Sequence, residues 1–174
     1  MNQQLFRQFE ALEKSRSVLF ENLIALSDED ARKAPAGKWS ISEIVSHILT
    51  SEQMSLGYMK KKSLAIDTLD NSGIAESMRM VLLTLSQRLP IKYKAPKIIV
   101  ERTLQRESFQ TTLQEWASLR NEYREFLERI EDKNLRKKIY KHPIAGRLNS
   151  FQALKFLREH FRHHLPQINR LLKK

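Results

Sequence analysis

Cysteine is absent from this chain of 174 residues, and only four glycines and five prolines punctuate it. Without cysteine no disulfide framework can form, and a small secreted scaffold of the disulfide-rich kind is excluded. Breakers this scarce leave room for long helices. No apolar run reaches the roughly 18 residues that a spanning helix needs, and the opening MNQQLFRQFE lacks a basic stretch followed by an apolar one. These absences predict a soluble, cytoplasmic protein without a membrane partner. A chain of this length forms one domain, taken here as 1–174, and buries roughly 70% of its unfolded surface unaided.

Acidic residues are also in short supply: 31 Lys plus Arg stand against 20 Asp plus Glu, a formal charge of +11. That excess raises the question of an anionic partner such as nucleic acid. The cations are scattered through Lys60 to Lys62, Lys92 to Lys97, Arg136 to Lys138 and Lys173-Lys174. They are not gathered on one helix face with interleaved aromatics, so a dedicated groove is disfavoured. Several sit near expected helix ends, where cations offset the C-terminal dipole.

What is present is helical periodicity. Leu5, Phe9, Leu12, Leu19, Leu23 and Leu26 recur at helical spacing, widened by Phe6, Phe20 and Ile24, and predict a first helix from about Gln3 to Leu26. Ser27 to Pro35 reads as a polar turn. Ser40 with Glu43 forms a capping-box signature opening a second helix, whose apolar face carries Ile41, Ile44, Val45, Ile48 and Leu49 and which runs to the lysine triplet. After a loop from Asp67 to Gly73, a further helix carries Met78, Val81, Leu82 and Leu85 until Pro90 stops it. The β-branched, proline-containing stretch 91–104 reads as an extended crossover at the end of a bundle. Phe109, Leu113, Trp116, Leu119, Tyr123, Phe126 and Ile130 mark the third long helix. His142-Pro143 and Gly146 break the chain again, and Asn149 with Gln152 caps the last helix. The expected fold is all-α, a four-helix bundle with a long crossover connection and an extra short helix.

Histidine is the residue used unevenly. Three of the five lie in Glu159-His160-Phe161-Arg162-His163-His164, and His47 closes WSISEIVSH. His160 and His164 stand one turn apart on one helix face, so both imidazoles can reach one ion, and His47 can supply a third nitrogen from the second helix. On a helical wheel His164 shares the face of Ala153, Leu157, Phe161, Ile168 and Leu171, His160 lies on its edge, and His163 lies further out. The spacing alone is weak evidence. The weight comes from a paired imidazole on an apolar face together with a third on another helix, because a shared metal is the simplest way to satisfy three buried rings.

These segments, WSISEIVSH and HPIAGRLNSFQALKFLREHFRHHLPQI from His142 to Ile168, resemble the DinB/YfiT-like superfamily of metal-dependent hydrolases. Its members show a tryptophan-led second helix ending in histidine, a His-Pro-x-x-Gly turn, and a last helix with H-x-x-x-H followed by Gln-Ile. The resemblance implies a metal held by His47, His160 and His164 in a four-helix bundle, commonly a homodimer. The implied ion is zinc or nickel, with iron also compatible with three imidazoles. The implied activity is hydrolysis by an activated water, or transfer using an external low-molecular-weight thiol, on a small-molecule substrate.

Around that triad, Gln167 can hydrogen-bond a ligand ring, and Glu43 can orient His47 or act as a base besides capping its helix. These two are the catalytic candidates. Trp39 and Tyr58 are candidates for the pocket wall. Pro166 should kink the helix just past His164, His163 should face solvent, and His142 should serve its turn. Two other readings stay open: a non-catalytic bundle whose site is empty or closed by a carboxylate from Glu43 or Glu52, and nucleic-acid binding by the basic surface, which would show a steep salt dependence.

Overall fold

The computed structural model describes residues 1–88, 103 and 108–173. Among them are six α-helices and one two-stranded hairpin: α1 (Gln3–Leu23), α2 (Asp28–Arg32), α3 (Ile41–Ser63), α4 (Ile74–Arg88), α5 (Phe109–Glu128), β1 (Tyr140–His142), β2 (Gly146–Leu148) and α6 (Ser150–Leu172). Four long helices close a ring, α1 packing on α6 and α5, and α3 packing on the same two from the other side. That is a four-helix bundle, and α4 lies outside it against α6. The expected crossover at 91–104 and the stop at Pro90 lie outside the described residues, apart from Thr103. No helix among the described residues is long and apolar enough to cross a membrane.

The periodicities place the core correctly. Leu5, Phe9, Leu12, Leu19 and Leu23 of α1 are buried, as are Ile41, Ile44, Val45, Ile48 and Leu49 of α3 and Phe109, Leu113, Trp116, Leu119, Tyr123 and Phe126 of α5. Both expected capping boxes are present. Ser40 Oγ accepts from Glu43 N at 3.1 Å while Ser40 N donates to Glu43 Oε2 at 2.7 Å. Asn149 Oδ1 accepts from Gln152 N at 2.9 Å while Asn149 N donates to Gln152 Oε1 at 3.0 Å. Each box ties two otherwise orphaned backbone donors and fixes where its helix begins.

Four expectations need correction. α1 ends at Leu23, because the chain tightens into a turn in which Leu26 N donates to Leu23 O, and Phe6 and Ile24 are exposed. The polar turn after it contains α2, capped by Ser27 and led by Asp28, Glu29 and Asp30, which suit the positive end of a helix. The run around His142 and Gly146 is an antiparallel hairpin pairing Tyr140 with Leu148, and Gly146 turns it with φ +76°. On α4 the marked residues Met78, Val81, Leu82 and Leu85 face outward, and Met80, Leu83 and Thr84 are the buried ones. Pro166 stands exposed inside α6, which runs on to Leu172.

A charged cluster pins three of the bundle helices. Arg120 of α5 donates through Nη2 to Glu52 Oε1 of α3, and its Nη1 lies 3.3 Å from Glu13 Oε1 of α1. Trp116 Nε1 donates to the other oxygen of Glu52 at 2.8 Å, and Tyr123 Oη donates to the Glu52 carbonyl at 2.8 Å. Glu52 and Arg120 are both fully buried. Burial pushes the Glu52 carboxyl upward while Arg120 and the Trp116 hydrogen bond pull it back. Such a cluster fixes which faces of α1, α3 and α5 meet, since any other register strands a charge.

Candidate metal centre

His47 sits in the second turn of α3, and His160 and His164 sit one turn apart around the middle of α6. The contact between these two helices brings the three rings together. His47 Nε2 lies 3.3 Å from His160 Nε2, which lies 3.3 Å from His164 Nε2. Ligand-capable nitrogens of all three fall within 4.8 Å of one another. His47 and His164 are buried and His160 is half-buried. The rings meet edge to face, at 65° for His47 with His160 and 89° for His160 with His164, so their lone pairs converge instead of stacking.

Two observations test whether this cluster suits an ion. Four ligands at 2.0–2.1 Å in tetrahedral array stand about 3.3–3.4 Å apart, which is the spacing of the two closest nitrogen pairs. The hydrogen-bond alternative is poor. A neutral imidazole has one donor and one acceptor nitrogen, so His160 Nε2 facing two neighbours serves both badly, and the buried Nδ1 atoms of His47 and His160 have no protein partner. The donor set fits a divalent metal of the zinc type, for which neutral imidazole is a standard ligand.

The rings are held in the neutral form that ligation requires. Burial, and then the nearby His163, depress His47 to about 4. Burial followed by His47 and His163 depresses His164 to about 3, against the raising effect of its hydrogen bond to Gln167. Burial drives His160 well below the usual histidine range, with His164, His47, His163 and His142 adding repulsion.

The remaining candidates divide clearly. Gln167 Oε1 stands 3.3 Å from His164 Nδ1, so it can accept that ring's N–H and leave Nε2 as the free lone pair. Trp39 packs its half-exposed indole against His47 at 5.1 Å between centroids, forming a wall. Tyr58 packs at 6.4 Å on Tyr140, whose ring stacks on Phe156. Phe156 in turn stacks on His160, so a chain of rings links Tyr58 to the imidazoles. Glu43 is exposed, with Oε2 taken up by the α3 cap. Glu52 is committed to Trp116 and Arg120. Among the described residues, the group able to surround an ion is therefore three histidines without a carboxylate. His163 is half-buried and its ring lies 5.1 Å from that of His164, so it borders the cluster instead of facing bulk solvent.

Two neighbours are not evident from sequence patterning. Phe156, one turn before His160, stacks on its ring at 5.6 Å and 20°; the i, i+4 spacing was available, but a phenylalanine on an apolar stripe looks like ordinary core. His142 is buried with its ring 4.4 Å from Phe156. Its Nδ1 accepts from Ile144 N at 3.2 Å and Ala145 N at 3.1 Å, which is the turn role expected of it and places the proton of the neutral ring on Nε2. Burial depresses it to about 4.

The sequence model of the DinB superfamily matches residues 11–168. No curated protein and no solved structure matches the chain.

Proposed function

The chain belongs to the DinB superfamily, and from that premise we propose that His47, His160 and His164 hold a divalent metal through their Nε2 atoms at an open, reactive site. The observation that carries the reading is the convergence of three imidazoles, with two of the three nitrogen pairs at tetrahedral-edge spacing and all three nitrogens within 4.8 Å of one another. Zinc or nickel suits this donor set best, and iron is chemically compatible. A bound ion of this kind lowers the pKa of water or of a thiol, and so supplies a nucleophile at neutral pH. The reaction class is accordingly hydrolysis, or transfer from an external low-molecular-weight thiol.

The residues around the triad have positional duties. Gln167 holds the His164 ring with its Nε2 inward, Trp39 braces His47, and Phe156 braces His160. With Glu43 and Glu52 both engaged elsewhere, three protein ligands leave a fourth position open. That favours a reactive site over a closed structural one, and it leaves proton transfer to the substrate, solvent or His163, not to Glu43.

X-ray absorption of the zinc-loaded protein tests this reading. Three imidazole nitrogens and one exchangeable light-atom ligand at about 2.0–2.1 Å are expected. Four protein ligands would contradict the open site, and the non-catalytic bundle would then be the better account.

A further inference from the structure

β1 presents two side chains to α6. Tyr140 and His142 point inward on either side of exposed Lys141, as strand alternation requires. Both rings meet Phe156, at 5.9 Å and 4.4 Å between centroids, and the far neighbour of Phe156 is His160. The strand is anchored: it pairs with β2 and packs on α3, where Tyr140 Oη bonds with Ser55 Oγ at 3.1 Å. His142 therefore stands on a fixed element, one phenyl ring away from the triad. Its ring is fixed as well. Nδ1 accepts from the backbone N–H groups of Ile144 and Ala145, which puts the proton of the neutral ring on Nε2. The turn itself needs only an acceptor, which an Asn or Asp side chain supplies routinely. What histidine adds is an Nε2–H directed away from the turn. That N–H finds no acceptor among the described residues, and it is not walled in as Nδ1 of His47 and of His160 are. On a side chain only 7% exposed, a donor left open and unpaired is costly unless something bonds it.

We propose that His142 donates its Nε2–H to the carbonyl oxygen of a substrate held at the triad, and that the substrate is accordingly an acyl compound, an ester or an amide. The inference rests on the metal reading above and deepens it. When water or a thiol bonds to the acyl carbon, the carbonyl electron pair moves onto oxygen, and a donor already in place stabilises the charge without reorganising. The pair then returns and expels the alcohol or amine, which leaves with the proton of the attacking group. His142 keeps its own proton throughout. An alkyl halide offers no such oxygen, so the donor has no use in its displacement.

Probe binding and ring spectroscopy test it together. Visible absorption of the cobalt-loaded protein follows acetohydroxamate, which offers an oxygen beyond the metal, and ethanethiol, which offers none. His142→Asn keeps the acceptor that the turn needs; it should bind acetohydroxamate at least about tenfold more weakly, the loss of a hydrogen bond to a charged oxygen, and ethanethiol as wild type does. Long-range proton–nitrogen correlation spectra of the wild type need no variant to fold. They should show the His142 proton on Nε2 in the metal-free protein, and that nitrogen should shift when acetohydroxamate is added to the zinc-loaded form. A chain that takes up no metal ends the metal reading and this inference with it. In a chain that does load, a proton on Nδ1, an Nε2 indifferent to acetohydroxamate, equal acetohydroxamate affinity in His142→Asn, or equal weakening of both probes overturns this inference alone.

Discussion

Gln167 is the point at which the site can be perturbed without touching a ligand. Its Oε1 stands 3.3 Å from His164 Nδ1, at the end of one more turn of α6. If Nδ1 donates there, the His164 tautomer leaves Nε2 unprotonated and aimed at His160 Nε2. Removing such a partner lowers metal affinity by about 10- to 100-fold. At 3.3 Å the bond is longer than the usual 2.9–3.0 Å, so the lower end applies, about 10-fold or ~1.4 kcal/mol. Gln167→Leu should therefore bind zinc about ten times more weakly, with little change in the stability of the metal-free protein, since Gln167 is only half-buried. Gln167→Glu should bind at least as tightly as wild type, because a carboxylate is the stronger acceptor. Competition against a chromophoric chelator measures both, with urea unfolding of the metal-free forms as control. The amide could also be turned so that its NH₂ donates to Nδ1, which would protonate Nε2 and block ligation. Wild-type zinc affinity in Gln167→Leu, or a loss in Gln167→Glu, would refute the reasoning.

Removing Arg120 should be far more damaging than removing a surface cation. Arg120→Met strands Glu52 in the core with only Trp116 to bond it, and should cost about 3–5 kcal/mol in urea unfolding; Lys60→Ala, which removes an exposed partner of Glu122, should cost less than about 1 kcal/mol. Stability of the metal-free protein should fall with acidification. His47, His142 and His164 have folded values near 4, 4 and 3 against an ordinary 6.5, so below pH ~6.5 the unfolded chain binds more protons than the folded one and stability drops by up to about 1.4 kcal/mol per pH unit for each ring. The loss should level off once pH passes below the folded values, and thermal melts between neutral pH and pH ~4 would read it; a flat profile would mean that these rings are not held neutral.

Most of the bundle was legible because its cause is local. A stripe such as Phe109, Leu113, Trp116 and Tyr123 repeats the helical period, and the boxes at Ser40 and Asn149 state where α3 and α6 begin. The H-x-x-x-H pair was legible for the same reason, since spacing alone puts His160 and His164 on one face. That His47 meets them is a tertiary fact, set by the packing of α3 on α6, and periodicity only places it on the flank of its stripe. The hairpin was missed because three-residue strands carry too little alternation to register. On α4, two apolar faces share 15 residues, and a wheel cannot tell which one meets the bundle. The commitment of Glu52 was hidden too, because the partners that occupy it lie 64 and 68 residues away.

The central claim is that these three histidines hold a metal, and elemental analysis of purified wild type beside His160→Ala tests it most directly. His160 Nε2 is the nitrogen that approaches both others, so its loss dismantles the cluster while α6 gains a good helix former. About one divalent ion per chain is expected in the wild type, by purification or on supply of zinc or nickel, and almost none in the folded variant. A wild type that takes up no metal when zinc or nickel is supplied, or a variant that binds as much as wild type, would contradict it.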